Sequence, residues 1–167
     1  MEVRVGILTV SDRAVSGKYE DKSGPLIAEI LSQRSAWLIS RQAIVPDEIN
    51  EIVSIITNWC QEGLDLILTT GGTGFAPRDV TPEATLKVIE KQTPGITEAM
   101  RQESLKITPH AMLSRAVAGI RQGTLIINLP GSPKAVKENL NVLMPVLPHA
   151  LELLKDEGGT ETTHQMV

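Results

Sequence analysis

The sequence predicts an α/β fold, namely a three-layer sandwich in which a mostly parallel central sheet is flanked by helices. Two observations support this prediction. Short runs rich in Val, Ile and Leu alternate along the chain with longer stretches whose apolar residues recur at helical spacing. Every unusual motif of the sequence also follows one of these short runs. Alternating strands and helices imply a parallel sheet covered on both faces, and such sheets bind ligands beyond the carboxyl ends of their strands.

Three strands and two helices are predicted in the first part of the chain. The strands span residues 3–10, 38–45 and 65–70, since each is a short run rich in apolar residues. The apolar stripes of the two helices are Leu26, Ile27, Ile30 and Leu31 on the first, and Ile49, Ile52, Val53, Ile56 and Trp59 on the second. Gly24 is predicted to lie in the loop before the first helix, and Asp47 to be the N-cap of the second.

Four helices and a pair of strands are predicted in the rest of the chain. The first helix begins at Thr81, which is predicted to be its cap because a proline follows at the first helical position. A second helix begins near Pro94. The strands 116–120 and 125–129 are predicted to pair with each other, and two further helices extend to residue 155.

Composition and charge favour a single globular domain without a nucleic-acid or membrane partner. Hydrophobic residues make up 41% and charged residues 22% of the chain, which predicts one domain over residues 1–156 and a frayed tail over residues 157–167. The low aromatic content of 2% and the net charge of −4 disfavour nucleic-acid binding. No apolar stretch reaches transmembrane length, and the N-terminus does not resemble a signal peptide. The single Cys60, which can form no internal disulfide, predicts a cytosolic location.

The most informative motif is the glycine-rich loop after the third predicted strand. Residues 71–74 read Gly-Gly-Thr-Gly, and three glycines within four residues allow positive φ angles and a close approach of the backbone to a ligand. Consecutive N–H groups in such a turn can bind phosphate oxygens. The motif matches neither the P-loop nor the dinucleotide-binding fingerprint. A tight turn that binds nothing therefore remains the alternative to a phosphate site.

Two aspartates could act together with this loop. Asp79 follows it closely, and a carboxylate beside bound phosphate requires a cation between the two. Mg²⁺ would supply that cation, because it prefers one or two carboxylates together with substrate phosphates and water. Alternatively, Asp79 only stabilises the start of the next helix through the helix dipole. Asp47 has a similar ambiguity, since Pro-Asp-Glu before a helix is an ordinary cap arrangement.

Two further loops contain polar residues that could meet a ligand. One follows the first strand and includes Ser11 and Asp21, and a solvated loop explains it equally well. The other runs from Asn128 to Pro133, where backbone N–H groups could bind an anion or a serine could simply cap the next helix. The three histidines are too far apart in the sequence to suggest a zinc site.

Six segments together resemble the MogA-type molybdopterin adenylyltransferases. They are residues 8–13 (LTVSDR), 21–25 (DKSGP), 45–48 (VPDE), 69–84 (TTGGTGFAPRDVTPEA), 112–115 (MLSR) and 129–133 (LPGSP). The resemblance implies the molybdenum cofactor biosynthesis protein fold and a cytoplasmic homotrimer. It also implies an enzyme that uses Mg²⁺ and ATP to adenylylate molybdopterin, releases pyrophosphate, and passes its product to a molybdate-inserting enzyme.

The resemblance also implies a set of site residues. Asp47 and Asp79 match the two aspartates that act in catalysis and would hold the metal. The positions associated with ligand binding are Ser11, Asp21, Gly71, Gly72, Thr73, Gly74, Ser104, Asn128, Pro130 and Gly131. The closely related MoaB-type proteins share the glycine loop. A protein that binds molybdopterin without catalysing adenylylation is therefore the alternative function.

Overall fold

The computed structural model describes residues 1–155, so the predicted tail over residues 157–167 lies outside the described part of the chain. The strands are β1 (Val3–Val10), β2 (Trp37–Val45), β3 (Leu66–Thr70), β4 (Lys91–Gln92), β5 (Ala118–Arg121) and β6 (Thr124–Leu129). The helices are α1 (Asp12–Val15), α2 (Ser23–Ser32), α3 (Ile49–Gln61), α4 (Thr81–Val88), α5 (Pro94–Leu105), a 3-10 helix (Pro109–Leu113), α6 (Pro133–Leu143) and α7 (Leu147–Lys155). Every predicted strand and helix is present, with bounds that differ by a few residues.

The six strands form one mixed sheet in the order β2-β1-β3-β6-β5-β4. The first four strands of this order are parallel, whereas β5 is antiparallel to both β6 and β4. The centre of the sheet consists of β1, β3 and β6, whose residues are buried almost without exception. Continuous apolar runs need cover on both faces, which explains their central place. The prediction of a mostly parallel sheet is confirmed.

Helices cover both faces of this sheet, so the predicted three-layer sandwich is also confirmed. On one face, α2, α5, α6 and α7 pack against side chains such as Ile7 and Leu68. On the other face, α3 and α4 pack against the neighbouring side chains Leu8 and Ile67. Consecutive strand residues point to opposite faces, and each central strand therefore contributes to both cores. No helix among residues 1–155 has the length and apolarity needed to cross a membrane.

The predictions at the starts of α2 and α4 are wrong. Gly24 lies in the first turn of α2 rather than in the preceding loop, because Asp21 Oδ1 accepts hydrogen bonds from the N–H groups of Ser23 and Gly24 and so starts the helix earlier. Thr81 is the first residue of α4 and not its cap. Its hydroxyl instead donates to the carbonyl oxygen of Gly71, at 2.9 Å.

The carboxyl ends of the four parallel strands bring their loops together at one edge of the sheet. The N–H of Ser11, after β1, donates to the carbonyl oxygen of Val45 at the end of β2. The N–H of Gly71, after β3, donates to the carbonyl oxygen of Leu129 at the end of β6. The loops that carry the candidate site residues therefore start side by side, as the rule for parallel sheets predicts.

Candidate functional site

The glycine loop is anchored through its carbonyl groups. Thr81 holds the first two, since its hydroxyl donates to Gly71 O and its N–H to Gly72 O. Arg115 holds the next two, since its N–H donates to Thr73 O and its Nε to Gly74 O. Within residues 1–155, by contrast, the N–H groups of Gly72 and Thr73 form no hydrogen bond. In the described part of the chain, the loop thus has two adjacent backbone donors without a partner.

Two of the loop glycines are required by the fold. Gly71 has a φ of +95° and Gly72 a φ of +66°, in the region that favours glycine. A Cβ atom on Gly71 would overlap the carbonyl oxygen of Val10, and one on Gly72 would overlap the Thr81 hydroxyl. The same added atom on Gly72 would lie 3.0 Å from Asp47 Oδ1, so the Asp47 carboxylate packs directly against the loop.

Asp79 supports the other end of the loop. Its Oδ2 accepts hydrogen bonds from the N–H groups of Gly74 and Ala76, at 3.0 and 3.1 Å. Asp79 lies just before α4. The N-cap residue of α4 is Val80, whose side chain makes no cap hydrogen bond. The carboxylate is therefore used to close the loop, and within the described part of the chain its Oδ1 forms no hydrogen bond. The suggestion that Asp79 only stabilises a helix start does not account for this geometry.

Asp47 is not the N-cap of α3, and this prediction is wrong. The cap residue is Glu48, whose side chain makes no cap hydrogen bond. The carboxylate of Asp47 turns instead to the loop after β1, where its Oδ2 accepts from the N–H of Asp12 at 2.9 Å. The N–H of Asp47 in turn donates to Asp12 Oδ1 at 3.0 Å. This reciprocal pair directs the Asp47 side chain to the glycine loop.

Burial and the neighbouring groups shift the pKa of the Asp47 carboxyl, and the neighbours act in opposite directions. Partial burial raises the pKa of the Asp47 carboxyl, and the negative charges of Asp12 and Asp79 raise it further, although the Asp12 N–H and Arg78 act in the opposite direction. The hydrogen bonds from Arg78 and from the Asp47 N–H lower the pKa of Asp12. Arg78 donates to Asp12 and also to Glu48, and both contacts raise the pKa of its guanidinium.

A first cavity, of about 330 Å³, opens on the Gly71-Gly72 side of the loop. Its charged lining residues are Asp12, Asp21, Asp47, Asp79, Arg13 and Arg78. Four carboxylates thus face two guanidinium groups, which makes the first cavity acidic. A phosphate ligand would be repelled here unless a cation accompanied it.

A second cavity, of about 270 Å³, lies on the Thr73-Gly74 side of the same loop. Most of its lining is neutral, and it includes Met100, Ser104, Leu113, Ser114, Pro130, Ala135 and Asn139. Arg101 also lines this cavity. Its guanidinium group already donates hydrogen bonds to the carbonyl oxygen of Ala116 and to the Thr97 hydroxyl. The second cavity therefore suits an uncharged polar ring better than a polyphosphate.

The predicted site residues divide between these two cavities. Ser11, Asp21, Asp47, Gly71, Gly72, Asp79 and Gly131 line the first, whereas Thr73, Gly74, Ser104 and Pro130 line the second. The oxygens of Asp21 are already engaged, because they accept from the Thr9 hydroxyl and from the start of α2. Ser11 caps α1 by accepting from the N–H of Ala14.

Asn128 does not reach either cavity. Its side chain is fully buried, and its amide nitrogen donates to the hydroxyl groups of Thr69 and Thr85 while its Oδ1 accepts from the N–H of Val117. This network joins β3, α4 and the segment before β5. The geometry therefore gives Asn128 a structural role, in contrast to the ligand contact that the resemblance implied.

Two arginines were missed by reasoning from local sequence patterns. Arg115 holds the glycine loop, and its Nη2 also donates to the carbonyl oxygen of Asp79 at 2.8 Å, while its Nη1 pairs with Glu83. Arg78 pairs with Asp12 and Glu48. The sequence did contain a hint of their importance. Arg78 is adjacent to Asp79, and Arg115 belongs to the segment 112–115 that contributes to the family resemblance.

Comparisons with known proteins show which proteins this chain is similar to. The family model described as "Probable molybdopterin binding domain" matches residues 6–149. The chain is 51% identical to gephyrin of Dictyostelium discoideum over 162 residues, which is 92% of this chain but only 23% of that protein. It is 47% identical to the molybdopterin adenylyltransferase of Helicobacter pylori over 157 residues, covering 91% of this chain and 88% of the relative.

A solved structure shows the same fold. The molybdopterin biosynthesis enzyme MoaB from Thermus thermophilus superposes with a TM-score of 0.86 and is 50% identical. The superposition covers 91% of this chain and 96% of that one. The similarity thus extends over most of the chain.

Proposed function

The chain belongs to the family of probable molybdopterin binding domains, and on this premise we propose that it is a molybdopterin adenylyltransferase of molybdenum cofactor biosynthesis. In this reaction an oxygen of the terminal phosphate of molybdopterin attacks the α-phosphorus of ATP. The bond from the α-phosphorus to the bridging oxygen breaks, and pyrophosphate leaves. The adenylyltransferase name of the Helicobacter pylori relative, nearly all of which this chain matches, favours the enzyme over the binding-only alternative.

The single observation that carries this proposal is the anchoring of the glycine loop. Its four carbonyl groups are held by Thr81 and Arg115, whereas within residues 1–155 the N–H groups of Gly72 and Thr73 have no hydrogen-bond partner. Fixed donors of this kind stabilise phosphate charge without reorganising during the reaction. A turn that only connects two elements would not need a donor pair held in this way.

The reaction requires positioning and charge neutralisation more than proton transfer. A phosphate nucleophile is already ionised at neutral pH, so no histidine or cysteine is needed as a base. Two negatively charged substrates must nevertheless approach each other within bonding distance. The loop N–H groups would orient one of them, and the effective concentration gained by such positioning is a large part of catalysis in phosphoryl transfer.

Asp47 and Asp79 are suited to hold Mg²⁺. In each carboxylate, one oxygen accepts hydrogen bonds from the backbone. Both carboxylates line the first cavity, where four carboxylates face two guanidinium groups. Residues 1–155 contain no cluster of three or more His, Cys, Asp or Glu side chains that could enclose a metal. Mg²⁺ fits such an open site, because it uses few carboxylates and completes its shell with phosphate oxygens and water. When bound, it would neutralise the phosphates of the substrates.

The two cavities suggest how the substrates are arranged. We assign the reacting phosphates and the cation to the first cavity, since its carboxylates require a positive partner. The second cavity, with its mostly neutral lining, would receive the ring system of one substrate. The glycine loop separates the two and would contact both.

The assembly and location of the protein are further parts of the proposal. We expect a homotrimer in the cytoplasm that passes its product to a molybdate-inserting enzyme. Exposed apolar side chains such as Phe75, Ile107 and Met112 would provide surface for subunit contacts. The buried lone Cys60 is compatible with a reducing compartment. A monomer mass in light scattering at micromolar concentration would contradict the trimer.

Release of pyrophosphate tests the proposed reaction. The protein is incubated with molybdopterin, ATP and Mg²⁺, and pyrophosphate is followed with a coupled assay. We expect release that requires all three components and that stops when the cation is removed with EDTA. Binding of molybdopterin without any release of pyrophosphate would instead support the MoaB-type function.

A further inference from the structure

Arg78 connects the three loops that form the first cavity. Its Nε and Nη2 donate to the two carboxylate oxygens of Asp12, at 2.9 and 3.1 Å. Its Nη2 also donates to Glu48 Oε1 at 2.8 Å. Asp12 is the first residue of α1, which directly follows β1, and Glu48 lies between β2 and α3, whereas Arg78 itself is part of the segment after β3. One guanidinium group therefore joins all three strand ends.

Asp12 transmits this connection to Asp47. The Asp12 carboxylate that Arg78 holds also accepts from the N–H of Asp47, and the N–H of Asp12 donates to Asp47 Oδ2. Asp47 Oδ2 is thereby fixed, and Oδ1 lies against Gly72. Arg78 directly precedes Asp79, so the segment that delivers one aspartate to the site also orients the other.

We propose that Arg78 and Asp12 are positioning residues that set the orientation of Asp47 relative to Asp79. Neither residue needs to touch the reacting atoms for this role. The inference rests on the proposed function to the extent that the two aspartates act together on a cation and a phosphate. It extends the proposed function by naming the contacts that hold the Asp47 carboxylate in a fixed orientation relative to the Asp79 carboxylate.

Stability alone does not explain this arrangement. The side chains of Arg78, Asp12 and Glu48 are 57%, 40% and 53% exposed, and ion pairs of such exposure contribute little to folding. A two-pronged contact between a guanidinium and a carboxylate does, however, restrict direction as well as distance. We therefore expect the network to control geometry at the cavity rather than the free energy of unfolding.

Four variants test the proposal, with a matched control. Arg78→Ala removes the guanidinium, and Arg78→Lys retains the charge without the two-pronged geometry. Asp12→Asn retains an oxygen that can accept from the Asp47 N–H but removes the charge that Arg78 holds. The fourth variant combines Arg78→Ala with Asp12→Asn. Arg41→Ala is the control, because Arg41 forms a similarly exposed ion pair with Glu62 outside both cavities.

We expect Arg78→Ala to lower kcat by about 10- to 100-fold, since a small misplacement of a catalytic group has effects of this size. The KM values of both substrates should change by less than about threefold, and Tm by less than about 5 °C. Arg78→Lys should recover only a minor part of the lost kcat. The double variant should be no worse than the poorer single variant by more than about threefold, because both changes interrupt the same connection. The control should keep the kcat and Tm of the wild type.

Binding of a cation provides a readout that does not depend on turnover. Mn²⁺ is titrated into each variant without nucleotide, which would itself bind the cation, and free Mn²⁺ is measured by electron paramagnetic resonance. Loss of a partner that orients a metal ligand commonly weakens metal binding by about tenfold or more. We expect Arg78→Ala to weaken Mn²⁺ binding by about tenfold and Arg41→Ala to leave it unchanged.

The two readouts separate failure of the inference from failure of the proposed function. A wild-type protein that releases no pyrophosphate contradicts the proposed function, while weaker Mn²⁺ binding in Arg78→Ala would still support the positioning role. Wild-type kcat and wild-type Mn²⁺ affinity in Arg78→Ala would overturn the inference. Full recovery by Arg78→Lys, or effects that multiply in the double variant, would also overturn it.

Discussion

The two cavities on either side of the glycine loop share a four-residue segment but differ in charge. The first cavity contains four aspartates and two arginines, whereas the lining of the second is mostly neutral. The positive φ angles of Gly71 and Gly72 turn the chain so that these two residues face one cavity and the next two face the other. The difference teaches that a single short loop can separate a charged cavity from a mostly neutral one, and under the proposed function these would serve reaction and recognition.

The largest effect should follow from removing one charge in the first cavity. Asp47→Asn retains an oxygen that can accept from the Asp12 N–H, so the loop geometry should persist. We expect kcat to fall by at least about 100-fold, corresponding to about 3 kcal/mol of lost transition-state stabilisation. Binding of molybdopterin, measured by calorimetry, should change little. A variant with half the normal turnover would remove Asp47 from the mechanism.

A change at the boundary between the cavities should affect both. Arg115→Lys cannot reproduce the contacts of one guanidinium with the carbonyl groups of Gly74 and Asp79. We expect kcat/KM for both substrates to fall by about tenfold, and the free energy of unfolding to fall by about 1 kcal/mol because partly buried acceptors lose their donor. Arg34→Lys, which alters an arginine outside both cavities, is the control. An effect confined to one substrate would show that Arg115 serves only one cavity.

A change confined to the second cavity should affect recognition alone. Ala135 lines this cavity from the first turn of α6, and leucine is well tolerated in a helix. Ala135→Leu should raise the KM of one substrate by about tenfold through lost space, with kcat and Mn²⁺ binding unchanged. Lys134→Leu, on the exposed side of the same helix, is the matched control. A large loss of kcat in Ala135→Leu would contradict the separation of the two roles.

The smallest expected effect concerns the pH dependence of stability. Burial raises the pKa of Glu83, but its hydrogen bond with Arg115 and the charge of that residue outweigh burial and leave the pKa below its usual range. A lowered pKa in the folded state adds stability above the unfolded value, near pH 4.3, and this stability is lost as the pH falls through the folded value.

Urea unfolding at pH 7 and pH 3.5 measures this contribution. We expect Glu83→Gln to be slightly less stable than the wild type at pH 7 and to lose less stability on acidification. Glu103→Gln, in an exposed pair with Lys106, is the control. Identical pH dependence in Glu83→Gln and the wild type would show that the pair with Arg115 does not contribute.

The fold could be predicted because its signals are local. The apolar runs of β1, β3 and β6 and the stripe of α3 appear directly in the sequence, and the rule for parallel sheets places the loops at one edge. The association of the glycine loop with Asp79 was equally accessible, since only a few residues separate them. Periodicity and short-range spacing therefore sufficed for the sheet, the helices and half of the first cavity.

The remaining features depend on contacts between distant parts of the chain. Asp47 fits a cap pattern locally, yet the N–H of Asp12, 35 residues away, captures its carboxylate. Asn128 belongs to a motif that suggests ligand binding, yet the hydroxyl groups of Thr69 and Thr85 take up its amide in the core. A local sequence pattern does not show which distant polar group a side chain will contact. The roles of Asp47 and Asn128 therefore could not be predicted from residue spacing.

The division of the loop between two cavities has a consequence for the order in which the chain assembles. Apart from Gly131, the first cavity is lined by residues 9–79, whereas the second requires residues 73–139. During synthesis, the segments that form the acidic cavity emerge from the ribosome well before those that complete its neighbour. The contact between Arg78 and Asp12 joins residues 66 positions apart, which follow the paired strands β3 and β1. A nascent chain would thus contain nearly all residues of the acidic cavity before those of the neutral cavity have been synthesised.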